Sequence, residues 1–278
     1  MEQQLTTARG VFRVAIDGNA SSPVLIFGNS LGTTLEMWAP QVEALSQHFR
    51  LVRYDTRGHG GSPVTAGPYA FEGLGRDVLA IMDALEIESA AFCGLSMGGH
   101  TGLWLGIHAA KRFYAIAVCN SAARIGTVGG WTERAALVRA GGASNMRDLA
   151  QSAPGRWFTD SFIASSPDVV RRVQDGLENI NPEGYAACCE ALSTSDLRQD
   201  LHHIDTPMLF LAGLHDPVTT PVDAQKMQLE VRQSQLQTVN ASHLSNIEAP
   251  QAFLHVLSGF LQQHTPPQIS NQESPCSI

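Results

Sequence analysis

The sequence predicts an α/β fold with a mostly parallel central sheet, helices on both faces of that sheet and a helical cap insertion. Three observations predict this fold. Short apolar strands alternate with helical segments through residues 1–121, and the alternation returns in residues 204–264. The interval 122–203 between them has apolar residues at helical spacing instead. The pattern G-x-S-x-G follows a predicted strand twice, in "GNSLG" and in "GLSMG".

Short apolar and β-branched runs predict strands, and longer segments with apolar residues at helical spacing predict helices. In the first part, strands are predicted at 12–16, 24–27, 51–54, 90–93 and 115–119. Helices are predicted there at about 37–47 and 74–85, and from the second G-x-S-x-G to about residue 110. In the last part, strands are predicted at 208–212 and 236–239, with helices from about 222 and at 249–262. Strands and helices that alternate in this way form a mostly parallel sheet.

The middle of the chain predicts a cap rather than a linker. Helical segments are separated there by stretches such as "VRAGGASN" and "SAPGRW", and they carry Trp131, Trp157, Phe158 and Phe162. The end of the chain, "TPPQISNQESPCSI", has two tandem prolines and few apolar residues, so a flexible tail is expected. The predicted division is a core of two parts, residues 1–121 and 204–264, with a helical cap, or lid, at 122–203 and a tail at 265–278.

Composition and charge argue against several classes of protein. The formal net charge is −8, and no basic run of five or more residues is present, so no nucleic-acid partner is expected. No run of about 18 apolar residues appears, and the N-terminus lacks the basic and apolar regions of a signal peptide. The cysteines, at positions 93, 119, 188, 189 and 276, have no spacing typical of a zinc site. We therefore expect a cytoplasmic protein with no metal and no membrane partner.

Ser96 is the predicted nucleophile. In a nucleophile elbow the serine sits on a strained turn between a buried strand and an immediate helix. The strand "AAFC" precedes "GLSMG", and "GGHTGLWLGIHAA" continues from it without a proline. The start of that helix and the amide of Met97 favour an oxyanion beside the serine hydroxyl. Ser30, in "GNSLG", is expected in a loop, because Pro40 disfavours helix at Ala39 and the next helix begins beyond the motif.

His243 is the predicted base, because a serine hydroxyl needs a base within hydrogen-bond reach. In a parallel α/β sheet the functional groups lie on loops at the carboxyl ends of the strands. His243 follows the predicted strand 236–239, in "NASHLSNIEAP". The nearer rivals are His100, directly after the elbow, and His59, in "RGHGGS", which is expected to shape its loop.

Asp216 is the predicted acid, since it directly follows a strand, in "GLHDPVTTP". Asp205 precedes that strand and so lies at the opposite edge of the sheet. Asp223 begins the next helix, where favourable interaction with the helix N-terminus explains a carboxylate. Asp55 also ends a strand, and Arg57 is its expected structural partner.

The chain order serine, aspartate, histidine is that of the α/β-hydrolase fold, and the chain resembles that family over nearly all of its length. It is similar in particular to the 3-oxoadipate enol-lactonases. The likeness is carried by "NSLGTTLEMWAPQVEAL", "RLVRYDTRGHGGS", "FCGLSMGG", "CNSAARIGT", "LAGLHDPVTTP" and "ASHLSNIEAP". It implies a carboxylic ester hydrolase of aromatic-compound catabolism with Ser96, Asp216 and His243 as catalytic triad, a helical lid and no cofactor.

The resemblance also implies the two donors of an oxyanion hole. Many α/β-hydrolases have His-Gly where this chain has Asn29-Ser30, and the enol-lactonases resemble this chain there. Mapped position by position, the backbone N–H of Leu31 joins that of Met97 in binding the oxyanion. Because both donors are backbone groups, the absence of His-Gly changes the polarity beside the pocket and leaves the donors in place.

The implied substrate is a small anionic lactone, whose carboxylate needs a cation or an N–H donor. Arginine suits bidentate recognition of a carboxylate. The cap supplies three candidates, Arg124, Arg134 and Arg156, with Trp131 as an apolar wall. Ser30 is a further candidate, as a polar group that lines the pocket.

Other functions share these residues and remain open at this point. A general carboxylesterase, a cofactor-free perhydrolase or haloperoxidase-like hydrolase, and a carbon–carbon bond hydrolase have the same triad. From a different class, the fold also hosts small-molecule receptors with slow or no turnover. Haloalkane dehalogenases and related epoxide hydrolases are disfavoured, since they have Asp where this chain has Ser96.

Overall fold

The computed structural model describes residues 1–266 of the chain. The remainder of the predicted tail, residues 267–278 with Cys276, lies outside the described residues. Within the described part, eight strands form one sheet. They are β1 (Glu2–Thr7), β2 (Gly10–Asp17), β3 (Val24–Gly28), β4 (Arg50–Tyr54), β5 (Ala90–Leu95), β6 (Phe113–Cys119), β7 (Met208–Gly213) and β8 (Ser234–Val239).

The strand order of the sheet, β1-β2-β4-β3-β5-β6-β7-β8, places a switch point at β3. β2 pairs antiparallel with β1 and β4, and all pairs from β4 to β8 are parallel. At a switch point the chain continues to opposite sides of one strand, and a crevice opens at the carboxyl ends. The two G-x-S-x-G segments follow β3 and β5, which are neighbours, so the segments lie side by side at this crevice.

Twelve α-helices belong to the described residues. They are α1 (Ala39–Leu45), α2 (Phe71–Ala84), α3 (Met97–His108), α4 (Val128–Gly141), α5 (Ala143–Ser152), α6 (Pro154–Trp157), α7 (Asp160–Ser165), α8 (Pro167–Glu178), α9 (Pro182–Thr194), α10 (Pro221–Glu230), α11 (Ser245–Glu248) and α12 (Pro250–His264). Helices α4 to α9 lie between β6 and β7 in the chain. Every residue of 122–203 is described, and none of them belongs to a strand. The division of the chain into core, cap and tail stays a prediction.

The sheet has a separate hydrophobic cluster on each face. Along β3, Leu25 and Phe27 belong to a cluster that includes α1, α12 and the cap helices. Ile26, between them, belongs to a cluster with residues of α2, α3 and α10. Alternate residues of a strand point to opposite faces, so β3 is buried on both sides and is apolar throughout. The predicted fold class is confirmed.

Two local predictions were wrong. The sequence does not predict β1, because "EQQLTT" is a largely exposed edge strand without apolar alternation. Pro40 was expected to keep Ala39 out of a helix, but α1 begins at Ala39. Proline is tolerated in a first helical turn, since its missing N–H has no intrahelical partner there.

The described residues also bear on membranes and metals. None of the helices in residues 1–266 combines the length and apolar character that a membrane crossing requires. In the same residues, no three histidine, cysteine or acidic side chains are grouped so that they could hold a metal ion. Cys93, Cys119, Cys188 and Cys189 are buried free thiols.

The first glycine of "GNSLG" and the last glycine of "GLSMG" are in direct contact. A Cβ on Gly98 would lie 2.2 Å from the carbonyl oxygen of Gly28, and no real side chain fits at that distance. Gly98 is in the first turn of α3, and Gly28 ends β3. The absence of a side chain at residue 98 therefore allows the start of α3 to rest on the loop after β3.

We expect Gly98→Ala to lower the free energy of unfolding by at least about 2 kcal/mol, because the new methyl group meets backbone atoms that cannot rotate away. Gly259→Ala is the matched control, since Gly259 also lies in a helix and has nothing within 4 Å of its Cβ position. That substitution should raise the stability by about 0.5–1 kcal/mol. Urea unfolding of both variants checks this, and equal stability of the two would contradict the packing argument.

His100 connects α3 to both ends of the predicted cap. Its Nδ1–H donates to the carbonyl of Ala122 at 2.8 Å, and the Ser195 hydroxyl donates to its Nε2 at 2.7 Å. With the Ser195 hydroxyl as donor, the ring has one protonated and one unprotonated nitrogen, which is the neutral form. Burial lowers the pKa of His100 to about 4, and burial likewise lowers the pKa of His59 to about 4.

These two histidines predict a loss of stability in mild acid. In the unfolded chain a histidine has a pKa of about 6.5, so below that pH the unfolded state binds more protons than the folded state. The free energy of unfolding keeps its full value above about pH 6.5 and decreases as the pH falls toward 4. Between pH 7 and pH 5 the loss should be about 2 kcal/mol per histidine.

His100→Gln keeps one donor and one acceptor and cannot titrate. Urea unfolding at pH 7 and pH 5 should therefore show a loss that is smaller than in the wild type by about 2 kcal/mol. If the variant lost as much stability in acid as the wild type, His100 would not be a source of the pH dependence.

Candidate active site

Ser96 occupies the turn between β5 and α3, in a strained backbone conformation with φ 56° and ψ −114°. A non-glycine residue in such a conformation costs about 1–3 kcal/mol and persists only where its surroundings hold it. Its N–H donates to the carbonyl of Cys119 at 2.9 Å, and the Ser121 hydroxyl donates to its carbonyl at 2.8 Å. The turn presents the Ser96 hydroxyl at the carboxyl end of the sheet.

The structure brings Ser96, His243 and Asp216 together from three separate loops. The Ser96 hydroxyl donates to Nε2 of His243 at 2.9 Å, and Nδ1–H of His243 donates to Oδ2 of Asp216 at 2.8 Å. All three side chains are buried. The aspartate holds the ring in the tautomer whose free nitrogen faces the hydroxyl, which is the arrangement that activates a serine.

The Asp216 carboxylate accepts hydrogen bonds on both oxygens. Oδ1 accepts from the backbone N–H groups of Val218 and Thr219, at 2.8 and 3.0 Å. Oδ2 accepts from His243, from the Thr219 hydroxyl at 2.9 Å and from Nδ2 of Asn120 at 3.0 Å. Burial opposes the charge, but the pairing with His243 and these donors hold the pKa of Asp216 below its usual value.

Asn120 and Thr219 are site residues that the sequence reasoning missed. Asn120 directly follows β6, which lies in the sheet between β5, the strand before Ser96, and β7, the strand before Asp216. Its Nδ2 also donates to the carbonyl of Ser242 at 3.1 Å, and it has a positive φ of 43°, which asparagine tolerates. Its position directly after a strand, within "CNSAARIGT", is a signal in the sequence that could have indicated a site residue. The sequence does not indicate the direction of its side-chain amide.

The two proposed oxyanion donors are the backbone amides of Leu31 and Met97. Met97 is the first residue of α3, and Leu31 lines the same cavity as Ser96. In the part of the chain that the structure describes, neither N–H donates to another protein group. Both amides therefore lack a protein acceptor in these residues, and their role as oxyanion donors stays a prediction.

Hydrogen bonds of Asn29 and Gly32 hold the loop after β3 in place. Asn29 is fully buried: its Nδ2 donates to the carbonyl of Tyr54 at 2.7 Å, and its Oδ1 accepts from Trp38 at 3.0 Å. The N–H of Gly32, at φ 80°, donates to Nε2 of His59 at 3.0 Å. These contacts fix the peptide groups on either side of Leu31.

The rival bases and acids have other partners. His59 holds Gly32, as expected for a residue that shapes a loop, and His100 holds the connections to the cap. The expected pairing of Asp55 with Arg57 was wrong. Asp55 accepts instead from Arg13 at 3.1 Å and from the backbone of Leu35 and Gly61, because Arg57 lies against Asp77.

The cavity at Ser96 is small, with a volume of about 140 Å³. Core loops and cap helices line it together. Its lining comprises Ser30, Leu31, Ser96, Ile125, Trp131, Arg134, Arg156, Trp157, Leu177, Tyr185, Leu192, Val218 and His243. Four predicted substrate-binding residues, Ser30, Trp131, Arg134 and Arg156, are therefore brought to the nucleophile.

Arg134 and Arg156 both belong to this lining. The guanidinium of Arg134 lies over the Trp131 ring, 5.0 Å from its centroid. Arg156 donates to the carbonyl of Ser152 at 3.1 Å. Burial lowers the pKa of Arg156, and the neighbouring charge of Arg134 lowers it further. Among residues 1–266 neither guanidinium forms an ion pair, so two cations share a half-buried cavity without a carboxylate.

Arg124 lies elsewhere, contrary to its expected place among the substrate-binding residues. It donates to Asp196 at 3.0 Å and lines a different surface cleft, with Arg198 and Lys226. The ion pair joins the two chain segments that connect the cap to the core. Arg124 and Arg134 are only ten residues apart, but the sequence does not indicate which of them faces inward.

Comparisons with known proteins agree with this geometry. Residues 23–250 match a family model described as alpha/beta hydrolase fold. 3-Oxoadipate enol-lactonase 2 of Acinetobacter baylyi is 45% identical over 259 residues, which cover 93% of this chain and 96% of that protein. 3-Oxoadipate enol-lactonase 1 of the same organism is 47% identical over 249 residues, with coverage of 90% and 92%. The crystal structure of the enol-lactonase from Burkholderia xenovorans LB400 has a TM-score of 0.90 and 41% identity, and the match covers 94% of this chain and 100% of that one. The chain belongs to the α/β-hydrolase family, in the group that contains the 3-oxoadipate enol-lactonases.

Proposed function

We propose that this protein is a serine hydrolase that opens the ring of 3-oxoadipate enol-lactone and releases 3-oxoadipate. One observation carries the proposal: the hydrogen-bonded Ser96, His243 and Asp216 open onto a small cavity whose lining, within residues 1–266, includes two arginines and no acidic side chain. An esterase for neutral substrates has no need of two cations there. The names of the relatives at 45% and 47% identity support the same substrate and its place in aromatic-compound catabolism.

In the first half of the reaction, His243 takes the proton of Ser96 as the serine oxygen bonds to the lactone carbonyl carbon. The carbonyl oxygen becomes an oxyanion, and the N–H groups of Leu31 and Met97 donate to it. Removal of one such donor typically costs about 100- to 1,000-fold in rate. Asp216 stays ionised and stabilises the imidazolium that forms.

Collapse of this intermediate breaks the ring carbon–oxygen bond. His243 returns its proton to the leaving enol oxygen, and the enol remains tethered to the acyl group on Ser96. Tautomerisation of the enol to the ketone removes the nucleophile that would close the ring again. His243 then takes a proton from water, whose oxygen bonds to the acyl carbon, and Ser96 regains its proton as 3-oxoadipate leaves.

Arg134 and Arg156 bind the substrate carboxylate in this proposal, and Trp131 and Ser30 line the pocket around it. A carboxylate between the two guanidinium groups would offset their mutual repulsion and supply the missing acidic partner. The protein acts in the cytoplasm, where its buried cysteines would remain reduced.

Ser96→Ala and Ser30→Ala distinguish the two G-x-S-x-G segments. Ser96→Ala should lower kcat for the enol-lactone by at least about 10⁴-fold, since the nucleophile is lost. Ser30→Ala should keep kcat within about 10-fold, because the atom required from that loop is the Leu31 N–H. Steady-state hydrolysis of the enol-lactone measures both. Near-normal turnover by the Ser96 variant would refute the mechanism.

Arg156→Met tests carboxylate recognition. We expect kcat/KM for the enol-lactone to fall about 10- to 100-fold, the size of a lost charge-assisted hydrogen bond. The value for p-nitrophenyl acetate, which has no carboxylate, should change by less than about 3-fold.

The matched control is Arg147→Met, an exposed arginine of the cap that pairs with Glu178 away from the cavity. It should alter neither value by more than about 2-fold. Equal losses on the two substrates in Arg156→Met would contradict a role in binding the carboxylate.

A further inference from the structure

The loop of His243 is connected to the cap on both sides of the histidine, directly at Leu244 and through Glu248 at Ser242. After it, the N–H of Leu244 donates to the carbonyl of Trp157 at 3.0 Å. Before it, the N–H of Ser242 donates to Oε2 of Glu248 at 2.8 Å. Neither bond involves the His243 ring, but together they fix the peptide groups that carry it.

Glu248 extends this connection to the cap. Its second oxygen, Oε1, accepts from the N–H of Thr159 at 3.2 Å and also from the Thr159 hydroxyl. One carboxylate thus joins the residue before His243 to a residue of the cap. The segment 157–159 is held at its first residue by Leu244 and at its last by Glu248.

The chemistry of these contacts requires a carboxylate. All three groups that Glu248 contacts, two N–H groups and one hydroxyl, donate to it, and they approach both of its oxygens. Among the ion pairs of residues 1–266, none involves Glu248. Its partners are therefore loop groups and not a surface cation. A glutamine would turn an NH₂ group toward one of the donors and break one side of the bridge.

The cap segment 157–159 and the residue before it contribute to the lining of the cavity. Arg156 and Trp157 both line the space beside Ser96. The group proposed to bind the substrate carboxylate is thus one residue away from the carbonyl that holds Leu244. The position of the substrate and the position of the His243 ring depend on one bonded unit of core loop and cap.

We infer that Glu248 is a positioning residue, which holds the loop of His243 against cap segment 157–159 and so sets the Ser96–His243 hydrogen bond. This inference rests on the proposed function for its substrate and on the geometry of the bridge for its mechanism. Glu248 itself does not line the cavity. Its effect passes through His243, so its loss should reduce kcat more than substrate binding.

The test compares Glu248→Gln with the wild type on two substrates, the enol-lactone and p-nitrophenyl acetate. We expect kcat to fall about 10- to 100-fold on both, the effect of misplacing a reacting group by about 1 Å. KM should stay within about 3-fold. Glu183→Gln is the matched control, since Glu183 pairs with Arg139 on the cap surface, and it should keep kcat within about 2-fold.

A merely structural role is separated by two further measurements. Hydrogen exchange should become faster at the amides of Ser242, Leu244 and Thr159 while the rest of the sheet keeps its protection. Glu248→Asp retains the charge but is too short to reach both partners, and it should show the same loss of kcat. It also serves as the test if the glutamine variant does not fold.

Wild-type kcat per folded molecule in both variants would overturn the inference, and so would a loss of activity that merely follows a general loss of exchange protection. The proposed function is tested separately. A wild-type protein that hydrolyses p-nitrophenyl acetate and leaves the enol-lactone intact would refute the function. The ratio of variant to wild-type kcat on the aryl ester would still decide the role of Glu248.

Discussion

The turn at Ser96 is the constraint on which the site depends. A strand that is buried on both faces ends there, and the next residue already begins α3, so the chain has a single residue in which to reverse. Ser96 accomplishes this only at positive φ, and that conformation is held by Cys119 and Ser121 on the neighbouring strand and loop. Because the turn is short, the hydroxyl and the Met97 amide leave the backbone side by side. In the proposed mechanism, the nucleophile and one oxyanion donor therefore come from the same strained turn.

Charge in the site is distributed unequally. The negative charge of Asp216 is surrounded by donors, so it can remain ionised although it is buried. The positive charges of Arg134 and Arg156 form no ion pair within the described residues, and burial together with the charge of Arg134 lowers the pKa of Arg156. The buried carboxylate of this site is surrounded by hydrogen-bond donors, whereas its two arginines form no ion pair within the described residues. A site of this kind is arranged to receive an anion. In the proposed function, the protein supplies the negative charge of the catalytic carboxylate. The substrate carboxylate supplies the negative charge that pairs with the two arginines.

The sequence predicts those features that depend on chain order and spacing. Ser96, Asp216 and His243 each follow a strand, and parallel strands bring their carboxyl ends to one edge, so their proximity follows from the alternation of strands and helices.

Features that depend on the direction of a side chain cannot be predicted in this way. Arg124 and Arg134 have the same chemistry and lie ten residues apart, and only the folded chain shows that Arg134 lines the cavity whereas Arg124 pairs with Asp196. Asn120 and Glu248 form hydrogen bonds to distant segments, which leave no periodic signal, and Thr219 is bonded within the loop of Asp216, where no regular element gives a period. The sequence does not predict the edge strand β1, because its exposed residues are polar on both faces and so give no alternation of apolar and polar residues.

The two G-x-S-x-G segments show how one pattern serves two structural purposes. After β5, the glycines allow a strained serine and an immediate helix. After β3, the chain continues as a loop, and Gly32, at positive φ, donates to His59 instead of starting a helix. The segments nevertheless depend on each other, because Gly98 has no side chain to separate the start of α3 from the carbonyl of Gly28. That contact holds the loop of Leu31 close to the amide of Met97, and so two donors from distant parts of the chain can serve one oxyanion. The second serine has no part in this arrangement, since the loop contributes through its backbone.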